Sequence, residues 1–376
     1  MSETKVRSMR SQSLDLLRFP LAVFVVTEHM MTIQGVSTGM VNLDVQSNEA
    51  FLVFHRFVTA FLQGISVPIY FFISGYVFFA NMPEMTKERY FQKLRNRTKT
   101  LLIPYLVWNA LELLLVIVKS IPALGAFSSV PSVAPDLSFG SVLACFWRYD
   151  GELFPNVHGG GGEALYPLVY SLWFLRDLMI VVVFSPVLHW AIRKFRWGML
   201  VVLFVIYLLI PDNNRFHFLI TALLFFSTGA YLSIWQIDMF RAFRPFSRWA
   251  LVLYPLLCLF LFFVLGSPMV MHYVKVLSII VALPLAYNMA AWLLQNTRIK
   301  VSSFLVSASF FIYVSHLLIC FRVLKLFVIM LQPEQGWAVV ATYVVSEVAV
   351  ILLLLEMFYL MKRYTPSLLR VVAGRK

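Results

Sequence analysis

Residues 13–31 read SLDLLRFPLAVFVVTEHMM, an apolar run with an acid and an arginine near one end and a glutamate and a histidine near the other. As a helix it is about long enough to cross the roughly 30 Å hydrocarbon core of a bilayer. Arg18 and His29 are eleven residues apart. A helix turning 100° per residue sets them about 20° apart on one face and roughly 16–17 Å apart along the axis. Asp15 lies near the same stripe. Glu28 adjoins His29 in sequence but points about 100° away, so any pairing between the two is oblique.

The rest of the chain extends this pattern. Of 376 residues, 60% are hydrophobic and 13% charged, with 35 Phe, 16 Tyr and 9 Trp. Soluble domains carry about 25% charged residues, so the polar side chains here are too few to cover a water-soluble globule. A cytosolic enzyme, a secreted module and a disordered chain are excluded together. The fold class this implies is all-α, a polytopic membrane bundle. Ten apolar segments predict spans at about 14–34, 51–81, 99–120, 167–190, 198–211, 216–236, 249–266, 270–295, 302–330 and 337–361. The fifth is short and the second and ninth are long, which predicts tilting or breaking.

Charge orients these spans. The formal net charge is +13, from 31 Lys and Arg against 18 Asp and Glu. On a soluble domain that balance would suggest nucleic acid; in a membrane protein it marks the cytoplasmic side. Lys5, Arg7 and Arg10 precede the first span, and the stretch 87–99, KERYFQKLRNRTK, follows the second. Arg193, Lys194 and Arg196 fall on the same side, as do Arg241, Arg244 and Arg248, then Arg298 and Lys300. Lys362, Arg363, Arg370, Arg375 and Lys376 close the series. In all, 22 of the 31 basic residues lie on alternate connections, which puts both termini in the cytoplasm. The domain organisation follows: a cytoplasmic segment 1–13, a membrane domain 14–361 and a basic cytoplasmic tail 362–376. The longest outer loop, about 121–166, with Asp136, Asp150, Glu152, Glu163 and glycines at 159–162, is too short for a separate folded domain. Cys145, Cys258 and Cys320 are scattered and make neither a disulfide framework nor a metal site. No internal repeat and no cleavage site after the first span are evident.

Nine basic residues remain: Arg18, Arg56, Lys119, Arg148, Arg176, Arg215, Lys275, Arg322 and Lys325. A charge at mid-span costs at least about 2.5–3.5 kcal/mol, so such residues face a polar interior, a partner or a function. Those near span ends, such as Lys119 and Lys325, can snorkel to the interface. Arg176 and Asp177 in SLWFLRDLM, His316 in FFIYVSHLL, Glu112 and Glu347 reach depths comparable with His29, which predicts a polar outer half inside the bundle. His29 reads either as a histidine tucked into a helix contact or as a functional base. Arg176 reads either as half of a structural ion pair with a nearby acid or as a binding residue. The stretch 87–99 reads equally as a topology marker against anionic headgroups or as a clamp for a phosphorylated ligand.

Taken in order, these segments resemble the acyltransferase family 3 of integral-membrane acyltransferases. The first-span arginine and histidine of that family match Arg18 and His29. Its paired phenylalanines before Ser-Gly-aromatic match Phe71, Phe72, Ser74, Gly75 and Tyr76. Arg95-Asn96-Arg97 matches its Arg-x-Arg, and Pro104, Tyr105 and Trp108 match the Pro-Tyr-x-x-Trp that follows. Trp173-Phe174-Leu175 and Tyr313–His316 match two later motifs. The resemblance covers about 13–330. It departs from many relatives in having Arg176-Asp177 after the Trp motif, and the chain has no room for the extracytoplasmic esterase-like domain that some relatives carry.

The resemblance implies transfer of an acyl group, usually acetyl, from cytoplasmic acyl-coenzyme A to a sugar hydroxyl on the other side of a cell (inner or plasma) membrane. On this reading His29 is the catalytic residue, as general base or as transient acyl acceptor; spacing does not choose between them. Arg18, Lys93, Arg95 and Arg97 would hold the donor, which is a substrate such as acetyl-coenzyme A rather than a resident cofactor. Glu28, Trp173, Arg176, Asp177 and His316 would line the acceptor vestibule. The partners implied are the acyl-coenzyme A, an extracytoplasmic or lipid-linked glycan and membrane lipids, with no nucleic acid and no metal. The competing class is a transporter or exporter of a polar or anionic solute.

Overall fold

The structure is a computed structural model. It describes residues 3–33, 35–37, 42–62, 64–80, 84–121, 135–150, 163–164, 166–211, 214, 216–264, 266–334 and 336–374. Arg215, Glu152, the glycines at 159–162, Arg375 and Lys376 lie outside the described residues.

Helices dominate. They are α1 (Glu3–Met31), α2 (Glu49–Leu62), α3 (Ser66–Phe79), α4 (Lys87–Arg97), α5 (Ile103–Ser120), α6 (Phe139–Cys145), α7 (Trp173–Val183), α8 (Ser185–Phe195) and α9 (Trp197–Leu209). There follow α10 (His217–Ile234), α11 (Met239–Phe243), α12 (Ser247–Phe263), α13 (Pro268–Asn296), α14 (Ser303–Leu331), α15 (Trp337–Tyr364) and α16 (Pro366–Val372). Two short antiparallel ribbons, β1 (Gly35–Ser37) with β2 (Asn42–Asp44) and β3 (Tyr149–Asp150) with β4 (Glu163–Ala164), are the sheet found among the described residues. The chain is therefore an all-α, multi-pass membrane protein.

Among the described residues seven helices are long and apolar enough to cross a membrane, or eight if the pair Tyr170–Val183 and Ser185–Phe195, bent by 64°, is one span. Ten spans were expected from the sequence. The first helix, which carries Asp15, Arg18 and Glu28 in its apolar stretch, is not among the seven. The fifth expected span is the 13-residue α9, about 20 Å long at 1.5 Å per residue. The long second segment is broken between α2 and α3 at Gly64, whose φ of +81° is a left-handed conformation that favours glycine.

Contacts divide the chain into two units. The first comprises Met1–Glu28, Phe54–Leu94 and Ile180–Phe310, the second His29–Val53, Arg95–Met179 and Phe311–Lys376. In the first unit α3 and α10 cross at reciprocal glycines. A Cβ on Gly75 would collide with the backbone carbonyl of Phe226, and one on Gly229 with the carbonyl of Phe72. Small residues at such a crossing allow the close backbone approach that packs membrane helices. This gives the Phe-Phe-Ile-Ser-Gly-Tyr segment a structural task, with Phe78, Phe79 and Phe226 packing their rings alongside at 5.0–6.2 Å. The Tyr70 hydroxyl donates to the Arg18 carbonyl (2.5 Å), and Arg10 pairs with Asp238 (3.1 Å), tying α1 to α3 and to the start of α11.

The second unit is arranged around α5. The Trp108 indole donates to the carbonyl of Val372 (2.9 Å), the Tyr105 hydroxyl to that of Phe146, and Asn109 both donates to the Tyr105 carbonyl (2.9 Å) and accepts from the Val169 N–H (3.0 Å). Asn109 thereby fixes the turn that leads into α7. The segment beyond 361 continues as the end of α15 and then α16, whose Leu369 and Val372 are buried. The most deeply buried amide, carboxylate and imidazole side chains among the described residues, Asn109, Asp177 and His316, lie in this unit, each no more than 2% exposed.

Candidate active site

Seven of the ten residues singled out in the sequence lie in the second unit: His29, Arg95, Arg97, Trp173, Arg176, Asp177 and His316. His29 sits in the last turn of α1, where the negative end of the helix dipole favours positive charge on an imidazole. Its half-buried ring packs against His316 (ring centres 4.8 Å apart, planes at 63°) and against Tyr170 (4.9 Å, 44°).

His316 is fully buried on α14. Its Nδ1 lies 2.8 Å from the Tyr313 carbonyl and 3.2 Å from that of Ile312. Carbonyls only accept, so Nδ1 carries the proton and Nε2 holds a lone pair. That Nε2 is buried without a hydrogen-bond partner among the described residues. Tyr313, three residues back on the same helix, donates its hydroxyl to the Ser171 carbonyl and packs on Phe174 (5.5 Å). The Tyr-x-x-His spacing thus anchors α14 to the start of α7 with one residue and presents an imidazole with the other.

Tyr170 and Thr32, neither singled out from the sequence, complete the surround. The Thr32 hydroxyl donates to the His29 carbonyl (2.8 Å) and lies 3.1 Å from the Tyr170 hydroxyl. Tyr166 packs on Tyr170 at 5.6 Å. The only signal for Tyr170 in the sequence is its place three residues ahead of Trp173, which is half-buried at the start of α7.

Arg176 and Asp177 are 8% and 2% exposed and pair with each other (Nε to Oδ1, 2.8 Å). Arg176 also donates to the Trp147 carbonyl (2.9 Å) and lies over the Trp147 ring (5.3 Å). The two therefore form a buried ion pair. Asp177 Oδ2 stays buried without a hydrogen-bond partner among the described residues, which leaves an acceptor atom in the pair. Arg95 is exposed and Arg97 half-buried at the end of α4, where the chain enters a wider helical turn, Thr98–Leu102.

The other three residues lie in the first unit. Arg18 pairs with Asp15 at 3.3 Å. Lys93 donates to the Phe78 carbonyl at the end of α3 and sits 5.0 Å over that ring. Glu28 accepts from the Gly64 N–H (3.0 Å). Its carboxylate therefore holds the break between α2 and α3, consistent with the 100° that separates it from the direction of His29.

The second unit thus brings together a half-buried histidine at the end of the first helix, a fully buried histidine with an unpartnered Nε2 and a buried arginine–aspartate pair. The profile of the acyltransferase domain (acyltransferase family 3) matches residues 11–356, nearly the whole chain, and the chain belongs to that family. No curated protein and no solved structure matches it.

Proposed function

We propose that the protein transfers an acyl group, acetyl first among the candidates, from cytoplasmic acyl-coenzyme A to a hydroxyl of a cell-envelope or lipid-linked sugar, in the cell (inner or plasma) membrane. The observation that carries this reading is the packing of His29 on His316 and Tyr170 in a chain of the acyltransferase family.

His29 takes the proton of the acceptor hydroxyl as that oxygen attacks the thioester carbonyl. The C–O bond forms, the C–S bond breaks, and the proton passes to the departing thiolate. If His29 attacks first, a C–N bond to the acyl carbon forms as the C–S bond breaks. In a second step the acceptor oxygen forms the C–O bond as C–N breaks, the hydroxyl proton ending on the thiolate. The helix terminus beneath His29 favours the imidazolium that forms. His316, held in one tautomer by two carbonyls, offers Nε2 to the N–H of His29 or to the acceptor hydroxyl, an orienting role like that of the third member of a catalytic triad. Trp173 and the open oxygen of Asp177 are proposed to face the acceptor, with Arg176 fixing that carboxylate. Glu28 is proposed to steady the break between α2 and α3 by accepting from the Gly64 N–H.

Arg95 and Arg97 are proposed to hold the donor phosphates, with Arg18 and Lys93 adding positive potential on the cytoplasmic side. A charge-assisted hydrogen bond contributes about 1.5–3 kcal/mol, so Arg95→Ala with Arg97→Ala should raise KM for acyl-coenzyme A about 10- to 100-fold or more. KM for the acceptor should stay within about twofold, less than 0.5 kcal/mol. Initial-rate kinetics with each substrate varied in turn measures this, and an unchanged donor KM would remove the clamp.

A further inference from the structure

The connection between α5 and α7 holds the short helix α6, which no step above uses. α4 and α5 together make one candidate membrane span, Lys87–Val118. Basic residues crowd its α4 end, so the end near Val118 lies on the outer side. α6 is docked at that outer end, where Cys145, 1% exposed, shares a buried cluster with Val116 of α5 and with Leu168. Three successive carbonyls at the end of α6 fix the placement. That of Cys145 accepts from the Leu168 N–H (2.9 Å), that of Phe146 from the Tyr105 hydroxyl, and that of Trp147 from Arg176 (2.9 Å). Carbonyls at a helix end lack intrahelical donors, and here α5, Leu168 and α7 supply them.

The other side of α6 is apolar and open. Phe139 and Leu143, one turn apart, lie on a face about 120–160° from the direction of Cys145. They are 84% and 63% exposed, and Trp147, just beyond the helix, is 57% exposed. The start of the helix is polar instead: Ser138 accepts from the Ser141 N–H, and Asp136 accepts from both serine hydroxyls.

We propose that α6 is an interfacial helix seated in the outer leaflet, with Phe139 and Leu143 among the acyl chains and Trp147 at headgroup level. Lipid is what covers this face because the face continues one that meets lipid: Leu114, Val118 and Ile121, at the same end of α5, are exposed as well. A helix with aromatic and leucine side chains on one side and polar groups elsewhere lies in the plane of the interface, and tryptophan collects at that level. The seat also sets a depth for the buried ion pair. Trp147 holds Arg176 by its carbonyl and against its ring (5.3 Å), so Arg176 and Asp177 lie close under the outer headgroups. None of this depends on the reaction proposed above.

The test is spin labelling of the full-length protein in phosphatidylcholine vesicles, with Phe139→Cys and Leu143→Cys made singly. The three native cysteines are buried, and unsubstituted protein taken through the same labelling gives their background. Relaxation by oxygen, which concentrates among acyl chains, is compared with relaxation by a water-soluble nickel complex, and spin-labelled lipids supply the depth scale. Both labels should respond more to oxygen than to nickel and lie about 5–10 Å below the phosphates. Labels open to the nickel complex would place α6 in water and overturn the seat. Labels shielded from both reagents would put a protein surface, from a second copy or from elsewhere in the chain, over this face and overturn it as well. Phe139, the more exposed of the two, decides the matter alone if the label at 143 disturbs the helix.

Discussion

Alanine in place of His29 is expected to lower acyl transfer by about 10²–10⁴-fold, the range removed with a general acid–base group, while the protein still inserts and folds. The ring is half-buried at the very end of α1 and packs on the rings of Tyr170 and His316, so its loss should leave packing of α1 largely intact. The measurement is turnover beside thermal stability in the same preparation. Near-normal turnover would move the base elsewhere, first to His316. His316→Phe separates the two roles, because it keeps a ring against His29 and removes only the nitrogens. That variant should retain part of the activity and shift the alkaline and acid limbs of the pH–rate profile. A variant as inactive as His29→Ala would make His316 as indispensable as His29, and full activity would remove its orienting role.

The second large effect is structural. Gly75→Leu or Gly229→Leu should destabilise the protein by about 3 kcal/mol or more, at and beyond the upper end of overpacking effects, because each added Cβ meets the partner helix's backbone rather than a side chain that could move. Loss of the monodisperse peak on size exclusion, or a large fall in Tm, reports it. Gly198→Ala on α9 is the control. Nothing lies within 4 Å of its Cβ position, and a helical Gly→Ala change is neutral to favourable by about 0.5–1 kcal/mol. Equal behaviour of Gly75→Leu and Gly198→Ala would refute the crossing.

Much of this was legible in the sequence because membrane proteins place charge under strong constraint. The alternating basic connections, the apolar segments and the charged first helix could be read from composition and spacing, and the adjacent Arg176–Asp177 pair needed no tertiary information. The break at Gly64 was less visible, since a glycine within a long apolar run does not announce its φ. Thr32 and Tyr170 could not be placed because their hydroxyls meet across 138 positions of chain. The approach of His316 to His29 spans an even longer separation. The helical tail α16 was hidden by its basic residues, which read as a cytoplasmic flank while Leu369 and Val372 turn inward. Short apolar residues between charges carry little periodic signal over seven positions.

The central claim, acyl transfer through His29, is tested most directly by the release of coenzyme A thiol from acetyl-coenzyme A. Purified wild type and His29→Ala would be compared in proteoliposomes with a panel of envelope and lipid-linked glycans on the opposite face. The predicted result is acceptor-dependent thiol release by the wild type, matched by a 42-Da gain on one glycan (an acetyl group replacing hydrogen), with both lost in His29→Ala. Thiol release and mass gain that persist undiminished in His29→Ala would contradict it. So would their absence from wild-type vesicles that instead move a polar or anionic solute.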